Sequence, residues 1–155
     1  MNTLSDLIIQ LQEQEERLQF VRFTHTDAWN LGRSLVELAI ERNLGVTIDI
    51  TKGDQQLFHT ALPGTTPDND DWVARKTRTV RRFGHSSFLI GRTYAASDTD
   101  LNTATGLPVA LYSDHVGCFP LFVRDVGPVG TVTVSGLPQE KDHALVVEAL
   151  ELALF

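Results

Sequence analysis

Cysteine is almost missing: the 155 residues hold one, Cys118, and a single methionine. One thiol excludes an intrachain disulfide and any zinc or iron–sulfur site built from several cysteines. Positive charge is also short. Thirteen Lys and Arg stand against twenty Asp and Glu, a formal net charge of −7. That balance argues against a surface that binds nucleic acid or anionic membrane as a whole. No apolar run approaches the ~18 residues that span a bilayer. The opening Met1-Asn-Thr-Leu-Ser-Asp has no basic region ahead of an apolar stretch, so it does not read as a secretion signal. A cytoplasmic protein is expected, with neither nucleic acid nor membrane as a partner. P-loop, dinucleotide, nucleophile-elbow and His-Glu-x-x-His motifs are absent, and no metal site is expected.

What is present suffices for a core. Hydrophobic residues make up 42% and charged residues 21%, and the length fits one domain over residues 1–155. Leu4, Leu7, Ile8 and Leu11 recur at helical spacing and predict a helix over 3–16. Residues 18–23 alternate as a short strand. Thr26 and Asp27 cap a predicted helix over 27–43, striped by Ala28, Leu31, Leu35 and Leu38. Val46-Thr-Ile-Asp-Ile alternates, and Lys52-Gly-Asp turns the chain into Gln55-Gln-Leu-Phe-His-Thr-Ala, a predicted hairpin. Acidic residues open a helix over 69–83, which Gly84 ends. Ser86 caps another helix. Residues 97–108 read as a polar surface loop. Strands are expected at 119–123 and 130–134, and a helix at 138–153. Hairpins outnumber βαβ units, so the expected class is α+β, an antiparallel sheet with helices packed on it.

Several residues could carry chemistry. His115 and Cys118 form His-x-x-Cys, where an imidazole could activate a thiolate. The other reading is a small buried Cys. His85-Ser86-Ser87 opens a helix, where N–H groups and hydroxyls could hold an anion or simply cap. The window 68–82 holds five basic and three acidic residues. Arg75, Lys76, Arg78 and Arg82 could clamp carboxylates, or could form a solvated face with pairs such as Asp71–Arg75. Trp72 would wall a pocket or join the core. Asp142 and His143 are adjacent on a helix and point about 100° apart, which argues against an acid–base pair.

Several stretches together resemble the haem-degrading-domain superfamily, with its HbpS-like and GlcG-like proteins, in its uncharacterised branch. They are Leu44-Gly-Val-Thr-Ile-Asp-Ile, Gly64-Thr-Thr-Pro-Asp-Asn-Asp-Asp-Trp72, Phe83-Gly-His-Ser-Ser-Phe, Gly117-Cys-Phe-Pro120 and Gly130-Thr-Val-Thr-Val-Ser-Gly-Leu-Pro. The resemblance runs from about Leu18 to Leu152. It implies a profilin-like α+β domain with a central antiparallel five-stranded sheet, assembled as a homo-oligomer, and it associates the chain with haem. In that branch the loop before Cys118 usually reads His-Gly-Gly-Cys; here Val116 takes the first glycine's place.

The leading expectation is a protein that binds haem or another anionic small molecule. Its pocket would be lined by Trp72, Arg75, Lys76, His85, Ser86, Ser87, His115, Gly117, Cys118 and Phe119. His85 or His115 would face the iron. The alternatives are an enzyme acting on a small metabolite through Cys118 or His85, and an oligomeric scaffold for protein partners without catalysis. Leu152, Leu154 and Phe155 extend the apolar end of the chain and favour self-association.

Overall fold

A computed structural model describes residues 3–138 and 140–155. Position 139 of the predicted last helix lies outside the described residues. The chain runs α1 (Leu4–Arg17), β1 (Gln19–Phe20), α2 (His25–Glu41), β2 (Thr47–Lys52), β3 (Gln55–Ala61), α3 (Pro67–Phe83), α4 (Ser87–Ala96), α5 (Leu101–Thr105), β4 (Cys118–Val123), β5 (Gly127–Ser135) and α6 (Lys141–Leu154). The strands form one sheet in the order β1-β4-β5-β2-β3.

The sheet is mixed rather than wholly antiparallel. β2, β3, β4 and β5 pair antiparallel, but β1 lies parallel to β4, with Gln19 beside Phe122 and Phe20 beside Val123. Only two residues of the predicted 18–23 strand pair, because the chain leaves the edge at Val21, which is 84% exposed. Local signals set the helix starts. Thr3 with Asp6 and Thr24 with Asp27 form reciprocal capping boxes. Asp27 therefore acts from the third helical position, and α2 begins two residues before the expected site. The predicted 97–108 loop contains α5, capped by Asp100, ended by left-handed Gly106 and anchored by fully buried Leu101. Its Thr- and Asn-rich composition conceals that one anchor.

Period-2 alternation gives the sheet two unlike faces. Ile48, Ile50, Val132, Val134, Phe119 and Leu121 point to one side, where α2 and α6 complete the apolar core. Thr47, Asp49, Thr51, Thr131, Thr133 and Ser135 point to the other. That second face is also buried, beneath α3. α1 packs on α4 and reaches α6 through a hydrogen bond between Gln14 and His143.

Candidate functional site

The three stretches expected to converge do meet, but as packed interior. Ser87 Oγ accepts from the Cys118 backbone N–H at 3.1 Å, which ties α4 to β4. Ser86 Oγ accepts from Leu89 N–H as the α4 cap. Ser86, Ser87, Cys118 and Phe119 are all buried. Burial raises the Cys118 thiol to about 11, so a neutral solution holds almost no thiolate to act as nucleophile. Thr133 donates to its sulfur at 3.1 Å.

Lys76 is fully buried rather than an exposed basic group. Its ammonium donates to the carbonyls of Val134 at 2.8 Å and Val116 at 3.0 Å, with Asp142 Oδ2 at 3.7 Å. Burial lowers the Lys76 pKa and raises that of Asp142, and each charge partly counters the other's shift. Asp142 also accepts from the backbone N–H groups of Gly136 and Leu137. Gly117 makes the approach of Lys76 feasible. Its φ is +127°, and a Cβ there would strike the Val134 carbonyl oxygen and come within 2.8 Å of Lys76 Nζ. Val116 precedes it without positive φ and contributes its carbonyl, so the departure from Gly-Gly leaves the turn intact.

The remaining expected residues form two separate surface groups. Trp72 and His115 stack with centroids 4.7 Å apart, and the Arg75 guanidinium lies 3.8 Å over the Trp72 ring. Arg75 Nε sits 2.9 Å from Asp71 Oδ2 as an ion pair whose geometry falls outside that of a hydrogen bond. His85 points elsewhere, to Glu15: Nδ1 lies 2.7 Å from Oε1, and the second Glu15 oxygen accepts from Ser86 N–H. That hydrogen bond raises the His85 pKa against the lowering effect of partial burial.

A cleft opens between α1 and α6 instead, with a volume of about 740 Å³. Leu7, Leu11, Phe88, Val147, Leu152 and Phe155 make it predominantly apolar, and His143 lies in its wall. His143 is buried between Phe88 and Phe119, with ring centroids at 5.0 and 5.9 Å. Desolvation pushes its pKa down to about 4, so the ring is neutral at pH 7. Gln14 Oε1 sits 2.8 Å from Nε2 and, as an acceptor, assigns the proton there. The lone pair is then left on Nδ1, which is buried without a partner among the described residues. A neutral imidazole with an unused lone pair can ligate a metal; here Nδ1 is shut away from solvent, so the ring has to turn to bring it into the cleft. The helical spacing of apolar residues in α1 and the apolar end of α6 are the sequence signals for this cleft. The Gln14 pairing that prepares His143 joins residues 129 apart and left no local trace.

Comparison with known proteins agrees with this fold. The family model for the haem degrading protein HbpS-like family matches residues 23–151. A UPF0303 protein of Streptomyces coelicolor is 56% identical over 144 residues, covering 93% of this chain and 91% of its own. A UPF0303 protein of Rhizobium meliloti is 50% identical over 137 residues, covering 88% and 84%. Among solved structures, the Ybr137w protein superposes with a TM-score of 0.86 at 33% identity, covering 94% of this chain and 87% of its own. A PduOC–haem complex shares the fold at 18% identity, with a TM-score of 0.70, covering 86% and 96%.

Proposed function

The chain belongs to the HbpS-like haem-degrading family, and on that premise we propose that it binds haem, or another anionic small molecule with an apolar body, in the α1–α6 cleft. One observation carries the reading: His143 places a neutral ring, whose buried Nδ1 has no partner among the described residues, in the wall of an apolar cleft. Its volume lies within the range of about 300–1,000 Å³ usual for ligand clefts. The fold's occurrence in a PduOC–haem complex supports the ligand class.

In this reading His143 would hold the iron once its ring turns Nδ1 toward the cleft, Gln14 fixes the resting tautomer, and Phe88, Leu11 and Val147 would shield the group from water. Haem, when bound, supplies iron-centred ligand and redox chemistry. Glu140, Glu148 and Glu151 edge the cleft and disfavour carboxylates. Arg17 offsets them: its ion pair with Glu151 is loose at 3.5 Å and half-exposed, so a propionate can compete for it. Exposed Leu152 and Phe155 at the same end support a second copy closing over the mouth, as a homo-oligomer. Leu154 instead packs partly buried on the core.

The test is a haem titration followed at the Soret band for the wild type, His143→Ala and Arg17→Gln. A saturable shift is expected in the wild type, a changed or lost band in His143→Ala and weaker binding in Arg17→Gln. Absence of a wild-type shift overturns haem binding, and an unchanged His143→Ala spectrum overturns this location. Light scattering tests the oligomer, which a mass near 17 kDa at micromolar concentration would exclude.

A further inference from the structure

A second cavity, of about 510 Å³, lies on the opposite side of the sheet between α3 and the β2–β3 hairpin. It has no part in the haem reading. Its lining is polar in a way that ordinary packing does not require. Asp49 from β2 is buried, and its Oδ1 accepts from Gln56 Nε2 at 2.6 Å and lies 2.9 Å from His59 Nδ1. His59 Nε2 lies 3.0 Å from Asp70 Oδ1, at the start of α3. The imidazole is thus held edge-on between a fixed carboxylate and a movable one: Asp70 is 47% exposed where Asp49 is 5%. Thr51 and Thr77 add hydroxyls to the wall.

The other end of the cavity is cationic. Arg78 and Arg81 line it two to three turns along α3 from Asp70. At 1.5 Å per residue, eight residues from Asp70 to Arg78 are about 12 Å of helix. Each guanidinium donates to a backbone carbonyl, Arg78 to Leu111 at 2.6 Å and Arg81 to Gly53 at 2.7 Å, and Arg81 Nη1 also lies 4.0 Å from the fully exposed Asp54 carboxylate. Each fork therefore keeps further donors in a fixed orientation. Acceptors and hydroxyls at one end and arginine forks at the other fit a ligand with hydroxyls along its body and an acid at its tip.

We propose that this cavity binds a small polyhydroxylated anion, a sugar that carries a phosphate or carboxylate. Its hydroxyls meet Asp49, His59 and Thr51, and its acidic group meets Arg78 and Arg81. Asp70 is the group that yields: a ligand hydroxyl takes its place at His59 Nε2, while Asp49 keeps the ring oriented. Such an exchange trades one half-exposed contact for a hydrogen bond in a partly dry site.

Isothermal titration of the full chain with ribose 5-phosphate, gluconate, ribose and inorganic phosphate tests this. One or both acidic sugars should saturate, at least tenfold tighter than ribose or phosphate alone. Saturation by ribose 5-phosphate only, or gluconate only, identifies the acid. His59→Gln and Arg81→Gln should each weaken that binding by about ten- to a hundredfold, the loss of one charge-assisted contact. Arg81 is exposed, so its variant tests the site even where His59→Gln lowers the melting temperature. No saturation by any probe up to 10 mM overturns the proposal. So does ribose or phosphate binding as tightly as the acidic sugars, or unchanged affinity in both folded variants.

Discussion

On one side of the sheet Ile48, Ile50, Val132 and Val134 meet the apolar faces of α2 and α6; on the other, Thr47, Asp49, Thr51, Thr131, Thr133 and Ser135 meet α3. Both faces are buried, and the same strands supply both through a single alternation. They are held by different physics. The first gains from area removed from water, about 25 cal/mol per Å², and asks little of geometry. The second must satisfy every hydroxyl and charge it buries. It does so for all but the Thr47 hydroxyl, which has no partner among the described residues, through Thr51 to Thr131 at 2.7 Å, Thr77 to Thr133 at 3.3 Å, Thr133 to Cys118 at 3.1 Å, and Lys76 to two carbonyls and Asp142. A face that spends its burial on hydrogen bonds can leave a polar cavity between its helix and its hairpin. An apolar face leaves greasy clefts, and the α1–α6 cleft lies on that side.

The sharpest way to break the contrast is to remove one member of the polar network. Lys76→Ala leaves Asp142 buried without its counter-ion and two carbonyls without their donor. A loss of about 3–5 kcal/mol is expected, measured as a lower urea midpoint at unchanged m. Replacing both members, as Lys76→Met with Asp142→Leu, should recover part of it, since paired desolvation is then avoided. If the double variant is no better than Lys76→Ala, the network is not behaving as a charge pair.

The apolar side has its own intruder, and acid should expose it. His143 has a folded pKa of about 4 against 6.5 for the free ring, so from pH 6.5 downward the unfolded chain takes up a proton that the folded chain refuses. Stability from this group is complete above pH 6.5 and falls as pH drops toward 4, by up to about 3 kcal/mol. The check is the difference between wild type and His143→Leu in urea unfolding at pH 7, 5.5 and 4.5. That difference isolates His143 from Asp142, whose raised pKa acts in the opposite sense. A constant difference across the series would mean that His143 takes up its proton equally in the folded and unfolded chains.

A smaller effect tests whether hydroxyl pairs on the polar face act as pairs. Thr51→Val and Thr131→Val should each cost about 1 kcal/mol, because each leaves the other hydroxyl buried without a partner. The double variant should be close to neutral, a coupling of about 2 kcal/mol in a double-mutant cycle. Additive losses would show that the two hydroxyls are satisfied independently.

Much of the fold was legible in the chain. Val46-Thr-Ile-Asp-Ile and Gly130-Thr-Val-Thr-Val-Ser announce their strands, and Lys52-Gly53-Asp54 marks the hairpin that places Asp49 opposite His59. What the pattern does not carry is whether the polar half of an alternation faces water. Antiparallel sheets commonly leave that half solvated; here α3 covers it, and Lys76 turns inward where its basic neighbours suggest a surface stripe. The candidate sites were less legible, because their members come from elements that tertiary packing brings together. His143 depends on Gln14 across the chain. His59 depends on a hairpin register that shifts by a bulge at Ile50 and Thr51. The alternation over 18–23 announces β1 but not that two of its residues pair, or that they run parallel to β4.

The smallest expected effect lies at the outer edge of α3, where the polar side meets solvent. From the sequence, Arg75 could either clamp a ligand carboxylate or pair with Asp71 one turn earlier. The structure places it beside Asp71, 2.9 Å away, and flat over Trp72 at 3.8 Å. Asp71 is 60% exposed, so the ion pair is screened and contributes little. The stacking is the larger part, because a guanidinium plane covers an indole better than an ammonium does. Arg75→Lys keeps the charge and loses the plane, so a loss below about 1 kcal/mol is expected, with Soret titration and sugar binding both unchanged. Trp72 fluorescence should report it directly, because the group over the indole changes while the fold does not. If Arg75→Lys instead weakens a ligand tenfold or more, Arg75 belongs to a binding site, and the polar side of the molecule extends its function out to the Trp72–His115 surface.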